Sequence, residues 1–114
     1  SWDAVRFDAT NVGGVSKALE LLMIANDADV ATEIQSWGHS LAQAVNFHLA
    51  LANPRTRFFE APTPILEFEF GMKHAISLNR GRAVAPNAPG LGIQVDWERL
   101  ASADCYVSEH SNVL

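Results

Sequence analysis

The sequence predicts an α/β fold built around parallel strands. Three short apolar segments alternate with two stretches of helical periodicity, in the order strand, helix, strand, helix, strand. Strands separated by a helix usually run parallel and are joined by right-handed crossovers. A polar residue ends or directly follows each predicted strand, and these residues, Asp8, Gln35 and Glu60, are 27 and 25 positions apart. This spacing matches the length of one β/α unit in a (β/α)₈ barrel. An open doubly wound sheet would instead place the same residues along a ligand crevice.

The first β/α unit is predicted between residues 4 and 26. Residues 4–7 form a short apolar strand, followed by a polar loop with two adjacent glycines. Residues 15–26 repeat apolar side chains at helical spacing, which predicts an amphipathic helix with Ser16 as a candidate N-cap. The predicted apolar face of this helix comprises Val15, Leu19, Leu22 and Met23.

The second β/α unit is predicted over residues 30–52. Residues 30–35 are the strand candidate, and Ser40 with Gln43 gives the capping-box pattern at the start of a helix. The helix is expected to stop before Pro54, because the residue preceding a proline disfavours helical geometry. Its predicted apolar face comprises Leu41, Ala44, Val45, His48, Leu49 and Ala52. Residues 57–60 are the third predicted strand.

Beyond residue 64 the pattern changes. Residues 65–70 alternate apolar and acidic side chains, which predicts a surface strand or an extended lid. Residues 71–82 are expected to be irregular, and residues 83–86 form a short strand at most, because Pro86 blocks a central ladder position. A last short helix over residues 97–103 is expected after Asp96 as its N-cap.

The composition excludes several classes of function. Eight basic and thirteen acidic residues give a net charge of −5, which disfavours nucleic acid and anionic membranes as partners. No apolar run is long enough to cross a bilayer, and no signal peptide is visible at the start. The single Cys105 predicts that the chain has no internal disulfide and no cysteine-based zinc site, and it fits a reducing, cytoplasmic location.

The candidate residues also have purely structural interpretations. Asp8 and Glu60 would suit solvated loop carboxylates or helix caps, and His48 would suit a hydrogen-bonded core histidine. His39 stands alone in a loop, and Trp37 is equally suited to packing or to lining a pocket. Three β/α units would leave two strand edges open, so we expect the chain to belong to a larger barrel or to pair with another chain.

Five segments occur in an order that resembles a known family. They are residues 8–15 (DATNVGGV), 35–38 (QSWG), 48–54 (HLALANP), 59–62 (FEAP) and 89–93 (PGLGI). The succession resembles the C-terminal part of the mandelate racemase/muconate lactonizing enzyme family of the enolase superfamily, closest to the acid-sugar dehydratases and cycloisomerases. The resemblance implies a partial (β/α) barrel, the last three β/α units of the family barrel over residues 1–64. Residues 65–114 would be a C-terminal tail that packs back on the barrel or on the cap domain.

The resemblance also implies roles for individual residues. Asp8 matches the aspartate that orients the histidine of an Asp–His dyad, and Gln35 occupies the position of that histidine. Because glutamine is not a general base, His39, four residues later, is the candidate to replace it. Glu60 matches the acidic residue that contacts the substrate carboxylate or the intermediate. Asn11 and Trp37 are the candidates for substrate binding.

The implied activity is that of a lyase or isomerase. The family abstracts the proton next to a carboxylate, and Mg²⁺ stabilises the resulting enediolate. The expected substrate of the intact enzyme is a sugar acid or its lactone. The metal ligands and the lysine base lie on strands that these residues do not match. We therefore expect no complete Mg²⁺ site in this chain and no turnover by it alone. The expected partners are a small carboxylate and either a second copy of the chain or the rest of a barrel. The alternative is a non-enzymatic, self-associating half-barrel module that binds small carboxylates.

Overall fold

A computed structural model describes residues 3–103 of the 114-residue chain. Cys105, on which the expectations about disulfides and compartment depend, lies outside the described residues. The elements are, in order, β1 (Ala4–Phe7), α1 (Val15–Asp27), β2 (Ala31–Ile34), α2 (Ser40–Ala52), α3 (Ile65–Phe68), β3 (Met72–His74), β4 (Ser77–Asn79), β5 (Arg82–Val84), β6 (Gln94–Val95) and α4 (Trp97–Ala101).

A parallel pair of strands lies at the centre of the first half. β1 and β2 pair in parallel, with Phe7 opposite Ile34 at their carboxyl ends. Ile34 forms a further parallel bridge to Phe59 on its other side. The α/β class and the parallel direction are therefore confirmed. The third strand predicted over residues 57–60 is reduced to this one bridge, and no further strand pairs with it within residues 3–103.

The two long helices pack against β2 and against each other. The core beneath them consists of Ala9, Ala18, Leu22, Ile34 and Leu49. The predicted face of α1 is largely wrong, because Val15, Leu19 and Met23 are exposed, whereas Ala18, Leu22 and Ala25 are buried. α1 carries apolar side chains around most of its circumference, so periodicity alone did not reveal which side faces the sheet. The small alanines allow the helix to approach closely.

The predicted face of α2 is also partly wrong. The predicted members Leu41 and Ala52 are exposed. The buried residues of α2 are Ser40, Gln43, Ala44, Asn46, Phe47 and Leu49. Half of this buried face is polar, and its side chains form hydrogen bonds, which hydropathy patterning does not detect.

Two of the three predicted helix starts differ from the structure. α1 has Gly14 as its N-cap, with φ of 97°, so Ser16 lies inside the helix rather than at its cap. α2 is capped by His39, whose side chain accepts a hydrogen bond from the Leu41 N–H, so the capping box at Ser40 is wrong. The Gln43 amide instead donates to the Gly38 carbonyl at 2.6 Å. The third prediction is confirmed, because Asp96 caps α4 by accepting from the Arg99 N–H at 3.1 Å.

The second half contains more regular structure than the sequence predicts. The segment that we predict as extended begins with the short helix α3, so that prediction is wrong. The segment that we predict as irregular contains β3, which pairs antiparallel with β6, and β4, which pairs antiparallel with β5. Arg80 and Gly81 join β4 to β5 with φ of 49° and 74°, as in the two-residue turns with positive φ that favour hairpins. A glycine at this position was the signal for the hairpin.

Candidate functional site

The strand register brings three predicted site residues to one edge of the sheet. Phe7, Ile34 and Phe59 lie opposite one another in adjacent parallel segments. Asp8, Gln35 and Glu60 each follow directly in the chain, and the Gln35 N–H donates to the Phe7 carbonyl at 2.8 Å. These three residues therefore end neighbouring segments at the same carboxyl edge, and we call them the rim. The carboxyl edge of parallel strands is where α/β proteins place their ligand sites.

The Glu60 carboxylate is the most heavily bonded group of the rim. Its Oε1 forms an ion pair with the Arg6 guanidinium, and its Oε2 accepts from the Ser36 N–H at 3.1 Å. Partial burial raises the pKa of Glu60, but the hydrogen bonds from Arg6, Ser36 and Trp37 and the charge of Arg6 outweigh it, so the pKa lies below its ordinary value. Glu60 is thus held as an anion.

A cavity of about 500 Å³ lies beside this ion pair. Its charged lining residues are Arg6, Glu33 and Glu60, and its apolar wall is formed by Ala4, Ile34, Phe58 and Phe59. Glu33 lies opposite Arg6 in the strand register. The cavity therefore combines one cation and two carboxylates with the aromatic ring of Phe58, a residue that is 71% exposed.

Asp8 is buried, and one oxygen of its carboxylate is engaged in local structure. Only 3% of the residue is exposed. Its Oδ1 accepts from the N–H and the hydroxyl of Thr10, both at 2.8 Å, and from the Asn46 amide at 2.9 Å. Asn46 in turn accepts from the Ala9 N–H at 3.0 Å. In the described structure Asp8 therefore pairs with an asparagine of α2 and joins the first strand to the second helix.

Both ring nitrogens of His39 form hydrogen bonds. Nδ1 accepts from the Leu41 N–H at 3.3 Å, and Nε2 lies 2.7 Å from the Phe70 carbonyl, to which it must donate because a carbonyl has no proton. These two bonds fix the neutral imidazole with its proton on Nε2. Any part that His39 takes in proton transfer requires that one of these bonds be broken.

The two predicted substrate-binding residues differ in their surroundings. Trp37 is 49% exposed, packs edge-on against Phe68 with ring centroids 5.8 Å apart, and helps to lower the pKa of Glu60. It therefore belongs to the rim cluster. Asn11 is exposed in the turn after β1, where its N–H donates to the Asp8 carbonyl at 3.0 Å. Its role in substrate binding stays a prediction.

The donor set of the described residues does not suit a divalent cation. Within residues 3–103, no three histidine, cysteine, aspartate or glutamate side chains come together as possible metal ligands. Mg²⁺ needs several well-placed oxygens, and the rim offers Glu60, already bonded to Arg6, and Asp8, already bonded to Thr10 and Asn46. We therefore derive no chemical step through a metal on this chain.

Sequence reasoning missed three residues that hold the rim together: Arg6, Ser36 and Asn46. Arg6 could have been noticed as a cation inside an otherwise apolar strand, two positions before Asp8. Asn46 could have been noticed as an amide between Val45 and Phe47, in the middle of an apolar helix. Ser36 carries no such signal, because it acts through its backbone N–H.

Comparison with known proteins gives the family directly. A family described as enolase C-terminal domain-like matches residues 1–99. This chain belongs to that family. It is 29% identical over 103 residues to muconate cycloisomerase 1 of Rhodococcus opacus, covering 86% of this chain and 27% of the relative. The resemblance to the mandelate racemase/muconate lactonizing enzymes is thereby confirmed.

Solved structures of the same superfamily share the fold. A candidate mandelate racemase/muconate lactonizing enzyme from Pseudovibrio sp. superposes with a TM-score of 0.82 and 39% identity, covering 88% of this chain and 27% of that chain. An enolase protein from the Sargasso Sea environmental sequencing gives a TM-score of 0.74 at 25% identity, covering 90% of this chain and 27% of that one. The chain thus spans about a quarter of the length of these relatives. In the part that the structure describes, no helix is both long and apolar enough to cross a membrane.

Proposed function

We propose that this chain supplies the last parallel strands and the substrate-facing rim of an enolase-superfamily barrel that acts on a small carboxylate, such as a sugar acid or its lactone. The observation that supports this is the register of Phe7, Ile34 and Phe59, which aligns Asp8, Gln35 and Glu60 at one carboxyl edge. The match over residues 1–99 to the family supports it further.

In this proposal the rim binds and orients substrate and does not transfer protons. Glu60 is ionised and bonded to Arg6 and to the Ser36 N–H, so it offers acceptor lone pairs and no proton. The Asp8 carboxylate is bonded to Thr10 and Asn46, and Gln35 has no titratable group. The base that removes the proton next to the carboxylate, and the Mg²⁺ that such enzymes carry, would come from outside the described residues.

Nuclear magnetic resonance tests the binding part of the proposal. The Ser36 N–H reports on Glu60 because it hydrogen-bonds to the carboxylate, and the Trp37 indole reports on it because the Trp37 side chain helps to lower the pKa of the same carboxyl. Gluconate titrated into the ¹⁵N-labelled chain at millimolar and higher concentrations is expected to shift both resonances. The variant Glu60→Gln is expected to lose this response. Unchanged resonances in the original chain would contradict the proposal.

A turnover assay tests whether the base that removes the proton lies outside this chain, as proposed. The purified chain with Mg²⁺ and a panel of aldonates and aldarates in D₂O is expected to show no exchange of the proton next to the carboxylate. Exchange above the rate of the buffer alone would show that a base within these 114 residues had been overlooked.

A second candidate function, a self-associating binding module, is favoured by one observation. α1 exposes an apolar stripe, Val15, Leu19 and Met23, and a groove of about 300 Å³ runs along β1 between Val5, Phe7 and Ile24. Sedimentation velocity decides between the candidates. A cooperative, stable dimer would favour the module, whereas a monomer that binds gluconate would favour the barrel segment.

A further inference from the structure

We propose that Arg6 is a positioning residue that holds Glu60 at the rim as a hydrogen-bond acceptor, and that the group which Glu60 meets is a substrate hydroxyl rather than the substrate carboxylate. The inference rests on the proposed function, because it assigns one part of that substrate to the rim. Arg6 lies on β1, and Glu60 follows the segment that bridges to β2. The ion pair therefore spans β2 and joins the first segment of the sheet to the third.

The number of acceptor sites on Glu60 limits what can bind there. An ionised carboxylate offers about four lone-pair sites. Arg6 donates to Oε1, and the Ser36 N–H donates to Oε2. About two sites are left for a ligand. An anion with no proton can only receive a hydrogen bond, so the ligand group that completes the set must be a donor.

The electrostatics of the adjoining cavity point the same way. Arg6 is paired with Glu60, and Glu33, its register partner on β2, lines the same cavity. The two carboxylates make this wall of the cavity rich in hydrogen-bond acceptors, and an ionised ligand carboxylate has no proton to donate to them. A neutral hydroxylated carbon chain fits better, because its hydroxyl can donate to Glu60 while its C–H groups contact Phe58 and Ala4 on the apolar wall.

The first experiment measures the ionisation of Glu60 without any ligand. Carbonyl-detected NMR follows the titration of the ¹³C-labelled Glu60 carboxyl in the original chain and in the variants Arg6→Gln and Arg6→Lys. Removing the guanidinium in Arg6→Gln is expected to raise the pKa of Glu60, since it removes both a hydrogen-bond donor and a neighbouring cation that lower the pKa of this carboxyl. Arg6→Lys, which keeps the charge, is expected to recover at least half of the difference.

A matched control separates the specific pair from general charge effects. Glu33→Gln alters the same cavity but removes a negative charge, so it is expected to leave the Glu60 titration unchanged or to shift it slightly downward. The Ser36 N–H resonance verifies that each variant keeps the fold around the rim. An Arg6→Gln variant with a native Ser36 resonance and an unshifted Glu60 would overturn the positioning role. If Arg6→Gln does not fold, the comparison of Arg6→Lys with Glu33→Gln decides, because only a change at Arg6 should raise the Glu60 pKa.

The second experiment identifies the ligand group. Gluconate carries hydroxyls and a carboxylate, sorbitol carries only hydroxyls, and hexanoate carries only the carboxylate on a chain of equal length. Gluconate and sorbitol are expected to shift the Ser36 N–H and Trp37 indole resonances, whereas hexanoate is not. Arg6→Gln is expected to weaken gluconate binding about tenfold, the effect of losing one well-placed hydrogen bond to a charged group.

The outcomes distinguish this inference from the proposed function. A response to hexanoate without one to sorbitol would overturn the hydroxyl assignment and leave the proposed function intact. A lack of response to all three ligands would contradict the proposed function and the hydroxyl assignment together. The role of Arg6 in holding Glu60 is decided by the titration alone.

Discussion

Residues 4–60 and residues 65–101 are stabilised in different ways. Among the described residues, every buried hydrophobic residue except Met72 lies between Ala9 and Leu49, and the buried polar residues lie between Asp8 and Asn53. In the second region α4 has no buried residue, and β4 is exposed along its whole length. The first region therefore has a hydrophobic core of its own, whereas the second consists of short ladders at the surface.

Polar side chains of one helix and its cap attach the second region to the first, beside the contact between the Trp37 and Phe68 rings. The His39 ring donates to the Phe70 carbonyl at 2.7 Å, and the Ser40 hydroxyl donates to the Phe68 carbonyl at 3.1 Å. Further along α2, the His48 ring lies 3.2 Å from the Leu91 carbonyl. A region held by individual hydrogen bonds should respond to mutation in a different way from a region held by a core, and the following predictions test this contrast.

The largest expected effect is the loss of a core side chain in the first region. Leu22→Ala removes a residue that is 4% exposed within the central cluster, and it should lower the free energy of unfolding by about 3 kcal/mol. Leu78→Ala, in the exposed hairpin of the second region, should change it by less than about 0.5 kcal/mol. Urea denaturation followed by circular dichroism measures both. Equal effects of the two variants would contradict the contrast between the regions.

The next largest effect should come from the buried polar network. Asn46→Ala would leave the Asp8 carboxylate without one donor and the Ala9 N–H without its acceptor, both in a buried setting. We expect a loss of about 2 kcal/mol in the same denaturation assay. Asn87→Ala, at an exposed loop position, is the matched control. A loss below about 0.5 kcal/mol for Asn46→Ala would mean that the network does not stabilise the fold.

A smaller effect is expected at the junction between the two regions. His39→Ala removes the cap of α2 and the bond to the Phe70 carbonyl, and it should cost about 1 kcal/mol. His39→Asn keeps a residue that caps helices well, so the Leu41 amide should regain its protection from hydrogen exchange while the link to the second region stays broken. Equal exchange of the Leu41 amide in both variants would argue against the capping role.

The smallest effect concerns pH. Because the folded-state pKa of Glu60 lies below the ordinary 4.5, its ionised form stabilises the folded chain above about that pH. This contribution is lost as the pH falls through the lowered folded-state pKa. Glu60→Gln should therefore flatten the decline of stability in this acidic range. Glu20→Gln, which alters an exposed pair with Lys17 on α1, should leave the decline unchanged. Parallel curves for Glu60→Gln and the original chain would contradict this assignment.

The sequence predicted the rim more accurately than it predicted the helix faces. Local composition predicted strand β1, and the spacing of the polar residues placed Gln35 and Glu60 at the ends of the next two segments. The structure has the same arrangement, because parallel β/α units repeat at a nearly constant length. The buried faces of α1 and α2 were partly mispredicted, because hydropathy does not identify their buried residues. Ala18 is a small side chain in the core, and Asn46 is buried because it hydrogen-bonds to Asp8. The hairpin β4–β5 was missed although Gly81 marks its turn.

The sequence by itself determined the order of elements in the first region and the polar residues at the strand ends, because these depend on interactions between near neighbours in the chain. The parallel direction followed from that order, because strands separated by a helix usually run parallel. Only the tertiary structure decided the partners of those polar residues. Arg6 and Glu60 are separated by 54 positions, and Asp8 and Asn46 by 38. Contacts over such separations are made by packing of whole elements, so no local pattern encodes them.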